Sequence, residues 1–158
     1  MVSVYDIAAT VADPELPVVT IADLGILRDA HGDGETAKVT ITPTYSGCPA
    51  LETIRADIAR ALKGAGYTTV DIETVYAPAW TTDWISQAGR EKLAASGIAP
   101  PVRRPPKRSL PLLMAPAPAC PHCRSTRVAE LSRFGPTACM SLWRCEDCRE
   151  PFEHVKTH

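Results

Sequence analysis

The chain has 158 residues, 45% of them hydrophobic, and a formal net charge of −1. That length suits one medium domain, or a small domain with a smaller module, and the apolar content is enough for a real core. No apolar run approaches the ~20 residues of a membrane-spanning helix. The start, Met1-Val2-Ser3-Val4-Tyr5-Asp6, lacks the basic stretch and apolar run of a signal peptide, so a cytoplasmic protein with no membrane partner is expected.

Ser3 can cap a helix, with Asp6 in the capping-box position and Val4, Ile7, Ala8 and Val11 on one helical face. Asp13-Pro14-Glu15-Leu16-Pro17 then reads as a rigid acidic turn, because both prolines fix φ and remove donors. Thr20 to Gly25 reads as one capped helical turn closed by glycine. Residues 26–29 and 38–42 read as strands joined by a hairpin loop at His31-Gly32-Asp33-Gly34, with Val39 and Ile41 inward and Lys38, Thr40 and Thr42 outward.

Pro43-Thr44-Tyr45-Ser46-Gly47-Cys48-Pro49-Ala50 turns that second strand into a helix from Ala50 to Lys63, whose inward face carries Leu51, Ile54, Ile58, Ala61 and Leu62. Cys48 sits where the helix begins, a place where free N–H groups ease loss of a thiol proton. A packed, unreactive thiol is the competing reading. A third strand is expected over 70–76. Thr81 or Thr82 can cap a further helix with Trp84, Ile85, Ala88 and Leu93 inward; Trp80 and Trp84 read as packing residues before ligand-stacking ones. The expectation is an α+β fold: helices on a short mixed sheet over residues 1–99, followed by a proline-rich basic linker at 100–118 and a cysteine-rich module at 119–158.

The charge is split. Residues 1–91 hold 6 Lys/Arg and 13 Asp/Glu, whereas residues 92–158 hold 11 and 5. No acid occurs from Lys92 to Ala129, a stretch containing Arg103, Arg104, Lys107, Arg108, Arg124 and Arg127. A basic arm lying on an acidic surface is the favoured reading over a nucleic-acid tether. Leu110, Leu112, Leu113 and Met114 give the linker an apolar patch.

Cys120-Pro121-His122-Cys123 and Cys145-Glu146-Asp147-Cys148 are two knuckles of the kind that hold one Zn²⁺ with four thiolates. Strands over 127–133 and 140–144 between them complete a zinc ribbon, with zinc favoured over mononuclear iron. Cys139, on an extended run, lies ~20 Å from the second knuckle and cannot share its metal; it is a packed thiol or a second reactive one. His122, His154 and His158 are reserve ligands only.

Asp13-Pro14-Glu15-Leu16-Pro17, Asp23-Leu24-Gly25, Thr42 and Ser46-Gly47-Cys48-Pro49 resemble the small iron–sulfur-assembly domains that include the MIP18-like proteins, over residues 3–77. With the segments Pro78 to Ile85, Gly97 to Pro101 and Phe134 to Cys139 added to the knuckles, the whole chain is similar to the family of D subunits of the bacterial phenylacetyl-CoA oxygenase (epoxidase) system. The resemblance implies an accessory, non-catalytic protein that installs or maintains metal centres, with the system's other subunits, above all its iron–sulfur reductase, as partners. It implies that Cys48 is the motif cysteine and a transient ligand for iron or a cluster, with Asp13, Glu15 and Asp23 at the family's acidic positions. It also implies that Cys120, Cys123, Cys145 and Cys148 are the metal ligands of the tail and Cys139 its extra cysteine. A single Cys48 would need a second thiolate from a client or from the other copy of a homodimer. The runner-up is a structural component that docks through the ribbon. A nucleic-acid-binding ribbon comes last, because the second half offers only Phe134, Trp143 and Phe152 for stacking.

Overall fold

Ser3 opens the first helix, α1 (Val4–Ala9), through a reciprocal cap: its hydroxyl accepts the Asp6 N–H and the Asp6 carboxylate accepts the Ser3 N–H, both at 3.1 Å. The computed structural model describes residues 2–103 and 116–157. α1 stops at Ala9, short of the expected Val11. The Thr10 hydroxyl turns back on the Ile7 carbonyl at 2.7 Å, and the chain then pairs with itself, Asp13 N–H to Val19 O at 3.0 Å and Ile21 N–H to Val11 O at 2.9 Å. Val11 is still buried, from a loop and not from a helix.

Strands β1 (Leu27–Asp33) and β2 (Thr36–Ile41) form an antiparallel hairpin, and β3 (Thr69–Thr74) adds in parallel on the far side of β2. The hairpin turn falls at Gly34-Glu35, later than expected, because His31 and Gly32 pair with Lys38 and Ala37 and extend the ladder. The parallel step needs a crossover, which α2 (Ala50–Gly64) supplies. Ala50, Ile54, Ile58 and Leu62 are buried at a spacing of four, while Leu51 and Ala61 sit half-buried at the stripe's edges. Val4 and Ala8 of α1 and Ala37, Val39 and Ile41 of β2 complete this core, with α1 packed on β1, β2 and α2, and α2 on β3. Thr42 departs from expectation: just beyond β2, its N–H donates to Ile26 O at 2.9 Å and its side chain is buried, 2% exposed.

The segment after β3 folds onto the Thr20–Gly25 turn. Buried Trp80 donates its Nε1–H to Leu24 O at 2.8 Å, and the Ser86 N–H donates to Asp23 O at 2.8 Å. A 3₁₀ turn, Thr82–Trp84, stands where a continuous helix was expected, and Arg28 stacks over the Trp84 ring at 3.8 Å. The following helix, α3 (Gln87–Ala95), therefore starts late, with the Ser86 hydroxyl accepting the Gly89 N–H at 2.9 Å, and the changed phase leaves Ala88 exposed instead of inward. Both tryptophans thus have structural partners.

The chain divides into two compact units, Met1–Gly89 and Arg90–His158. This division falls well before the expected boundary at residue 99. Arg90 donates from Nη1 to Pro101 O at 2.6 Å, and Ile98–Ala99 forms a short strand, β4, inside the second unit's sheet. That sheet has the order β4-β7-β6-β5, with β5 at Val128–Ser132, β6 at Met140–Cys145 and β7 at Pro151–Val155. β4 lies parallel to β7; the other pairs are antiparallel. Of the expected 100–118 linker, residues 104–115, including Arg104, Lys107, Arg108, Leu110, Leu112, Leu113 and Met114, lie outside the described residues. Among the described residues no helix is long and apolar enough to cross a membrane.

Gly25 has φ +72°, and a Cβ there would lie 2.7 Å from Trp84 Cβ and 2.8 Å from its carbonyl oxygen. Gly25→Ala is expected to cost about 2–4 kcal/mol of unfolding free energy by combining a strained φ with a backbone clash. Urea denaturation followed by tryptophan fluorescence measures this, and an unchanged midpoint would contradict the packing described.

Candidate functional site

The acidic turn is built around the Asp13 side chain. One carboxylate oxygen accepts the N–H of Glu15 at 2.9 Å and that of Leu16 at 2.8 Å, closing an Asx turn in a loop whose ends are already paired. Asp13 is 5% exposed, and burial pushes its carboxyl above the usual range, against the pull of those two N–H groups. Glu15 is half-buried and also raised, first by burial and then by the Asp13 charge. The Asp13 carboxylate is thus fixed by the turn, with the Glu15 carboxyl near enough to feel its charge.

Cys48 feels both of these charges. It immediately precedes Pro49, the N-cap of α2, so it stands one residue outside the cap, and its carbonyl accepts the Leu51 N–H at 3.2 Å. Its thiol is half-buried. Burial pushes its pKa up; the Ala50 N–H pulls it down; the Glu15 charge raises it; the Thr44 hydroxyl lowers it; and the Asp13 charge raises it again. The balance lies above the ordinary 9.0. The helix N-terminus does ease proton loss, through the Ala50 N–H, but desolvation and two nearby carboxylates outweigh that amide and the Thr44 hydroxyl. The arrangement is a protonated thiol that a cation can deprotonate by binding, since a cation stabilises the thiolate that burial and the two carboxylate charges disfavour.

Asp23 is used differently. Its carboxylate accepts the Thr20 N–H at 3.0 Å, its own N–H donates to the Thr20 hydroxyl at 3.1 Å, and it accepts the Ser86 hydroxyl at 3.4 Å. These bonds cap the Thr20–Gly25 turn. Sequence reasoning did not single out Thr44, whose hydroxyl bonds the Cys48 sulfur; both residues sit in an irregular loop, so no helical or strand periodicity signals the contact. The buried Thr42 hydroxyl has no hydrogen-bond partner among the described residues.

The second unit carries a cluster of four thiols. The ligand atoms of Cys120, Cys123, Cys145 and Cys148 all lie within 4.8 Å of one another, with Cys120–Cys148 at 3.7 Å and Cys123–Cys145 at 3.5 Å. A tetrahedral Zn²⁺ with Zn–S of ~2.3 Å sets sulfurs about 3.8 Å apart, so the donor set fits such an ion. The two knuckles repeat one design. After each second cysteine an arginine adopts positive φ, Arg124 at 64° and Arg149 at 69°, and backbone bonds close the turns, Arg124 N–H to Cys120 O at 2.8 Å and Cys145 N–H to Glu150 O at 3.0 Å. Against desolvation, the N–H groups of Cys148 and Asp147 hold Cys145 down to about 6. Cys148, despite the Glu150 N–H, is pushed up to about 12 by burial and by the neighbouring Cys145 and Cys120 sulfurs. Thiols this close resist ionising together, and a bound dication resolves that conflict.

Of the three reserve ligands, His122 and His154 do not join the cluster: His122 is exposed, and His154 is buried with Nδ1 3.2 Å from Ala99 O, while His158 lies outside the described residues. Cys139 also stands apart; its sulfur lies 3.1 Å from the Thr137 hydroxyl and its carbonyl accepts the Lys156 N–H at 2.9 Å.

Fold and site together define a class: a small α+β domain offering one thiol beside fixed carboxylates, joined to a four-cysteine ribbon. The chain belongs to the family of 1,2-phenylacetyl-CoA epoxidase D subunits, built from an iron–sulfur cluster assembly domain and a zinc ribbon. Residues 3–74 match the family described as "Iron-sulfur cluster assembly protein" and residues 105–156 the "PaaD zinc beta ribbon domain". The chain is 42% identical over 153 residues, 97% of its own length and 90% of the other's, to the putative 1,2-phenylacetyl-CoA epoxidase D subunit of Escherichia coli. It is 36% identical over 81 residues, 49% of this chain and 75% of the other, to the "Fe-S protein maturation auxiliary factor" of Porphyromonas gingivalis. A crystal structure of a DUF59 domain from Bacillus anthracis superposes with a TM-score of 0.52 at 29% identity, covering 57% of this chain and 87% of that one. The fold is accordingly the mixed α+β one expected, with a metal-binding ribbon.

The Cys48 environment predicts how it titrates. Alkylation of Cys48 by iodoacetamide, followed peptide by peptide by mass spectrometry, should be slow at neutral pH and reach half its maximal rate above the ordinary thiol value of 9.0. Glu15→Gln removes a charge that raises the thiol pKa, so its profile should shift to lower pH. Superimposable profiles would contradict the electrostatic account.

Proposed function

We propose that this chain is an accessory protein of a phenylacetyl-CoA epoxidase system, working in the cytoplasm, that matures iron–sulfur or iron centres of the system's other components. The iron–sulfur reductase is its first client. Cys48 is the transient ligand, and the metal is cargo; the chain itself catalyses no step on the aromatic thioester.

The observation that carries this reading is a half-buried Cys48 thiol that feels the charges of Glu15 and Asp13. A thiolate is a ligand suited to iron, and negative charge around it favours a cation. Because the thiol rests protonated, iron binds by exchange with a proton and can leave the same way. One thiolate also makes an incomplete site, so a client's or a second copy's cysteine completes it, which favours handing over against storage. The Ala50 N–H and the Thr44 hydroxyl hold the sulfur in place through this exchange. Asp23 supports the site at a distance by fixing the turn ahead of β1. Two relatives support the direction: one is named as an epoxidase component, the other as a maturation factor for iron–sulfur proteins. The ribbon's four cysteines hold Zn²⁺, whose binding free energy is folding free energy for so small a sheet.

Cys48→Ser tests this. Reductase purified from cells carrying the variant should lose most of its iron–sulfur absorption, while the variant itself keeps its fold and its ribbon metal. Full cluster occupancy in the reductase would remove the proposal.

A further inference from the structure

The ribbon ends in a hairpin tip that holds two large apolar side chains out in water. Phe134 is 80% exposed and Leu131 54% exposed. Leu131 occupies the register shift between Glu130 and Ser132, a bulge on β5, the sheet's terminal strand. Bulges of this kind spoil an edge for strand addition, so what the edge offers a partner is side chains and not backbone.

The tip is fixed in this shape. The Phe134 N–H donates to the Ser132 hydroxyl at 3.1 Å and the Gly135 N–H to Met140 O at 2.9 Å. A Cβ on Gly135 would meet the Met140 backbone at 3.1 Å, so the glycine lets the two sides of the tip approach closely. The Met140 N–H closes the turn on Thr137 O at 3.2 Å. Lys156 ties the tip down from β7's end, donating from its backbone to Cys139 O at 2.9 Å and from Nζ to Ala138 O at 3.1 Å, with Nζ 5.5 Å above the Phe134 ring. An exposed aromatic on a bonded frame loses little entropy when it is covered, which is the condition for a binding anchor.

Charge says what covers it. At the knuckle end of the ribbon, Asp147 and Glu146 pair with Arg127. The tip instead carries Arg133, 87% exposed, and Lys156; the acids on the strands behind it are Glu130, which Arg133 faces at 3.7 Å, and Glu153, level with Ser132. We infer that the Leu131–Phe134 tip is a docking anchor for a protein with an apolar pocket rimmed by carboxylates, offered by a component of the epoxidase system. This rests on the reading above for the identity of the partner, not for the existence of the surface. A single-stranded nucleic acid fits the tip less well: Leu131 cannot stack, Trp143 is half-buried with its N–H given to Ser141, and Phe152 is buried.

The test uses the full chain with its ribbon metal in place, immobilised and exposed in turn to the purified reductase, the purified oxygenase core and a single-stranded oligonucleotide. Wild type should bind one of the two protein components. Phe134→Ser should weaken that binding at least tenfold, and Leu131→Ser should weaken it less, with ribbon metal content and circular dichroism unchanged. Arg133→Glu should weaken it at low salt, by a factor that shrinks as salt rises. The inference is overturned if Phe134→Ser binds like wild type, if neither component binds, or if only the oligonucleotide binds in a Phe134-dependent way. A Cys48→Ser variant that matures the reductase fully while Phe134→Ser fails to bind would sink the maturation reading and leave the docking surface standing.

Discussion

The Asp13 carboxylate is the constraint on which the first unit's chemistry depends. By accepting two successive N–H groups it fixes the acidic turn, and so places Glu15 as a charge beside Cys48. An Asx turn is an ordinary structural device, yet here its buried charge also reaches the thiol. The same carboxylate therefore shapes the loop and helps to keep a proton on the sulfur. Replacing it would alter both at once. Glu15, whose carboxylate accepts neither of those N–H groups, is therefore the better probe of the electrostatics.

The second unit depends on a different constraint. Its sheet is short, its small core includes Cys120 and Cys145 themselves, and Ala99 and Phe152 supply much of the rest. Such a core cannot hold alone, and the thiol cluster at one end of β6 ties both knuckles together. Within this sheet His154 of β7 also ties down β4 through Ala99 O, and burial lowers its pKa against the pull of that carbonyl. A neutral imidazole thus belongs to the folded state of this unit, as a structural partner of β4.

How much of this was legible beforehand follows from the range of the interactions. The α2 stripe, the α1 cap and the two knuckles depend on residues close in sequence or on a ligand geometry that fixes spacing, and the chain displays them openly. The turn at Gly34-Glu35, the buried Thr42, the outward Ala88 and the strand at Ile98–Ala99 depend on pairing with distant segments or on the phase at which a helix starts. Cys48 shows the limit most clearly. Local context places it at a helix start, which lowers a thiol pKa; what raises it is first its burial and then the charges of Glu15 and Asp13, far earlier in the chain, and only the fold supplies these.

A thiol that rests protonated and binds iron only by giving up that proton is the centre of the proposed role. The most direct measurement is an anaerobic titration of the zinc-loaded chain with ferrous iron in weakly buffered solution at neutral pH, following thiolate-to-iron charge-transfer absorption and proton release together. The account predicts that both rise in step, with about one proton released per iron bound, and that both vanish in Cys48→Ser. Iron taken up without proton release, or equally well by the serine variant, would contradict it.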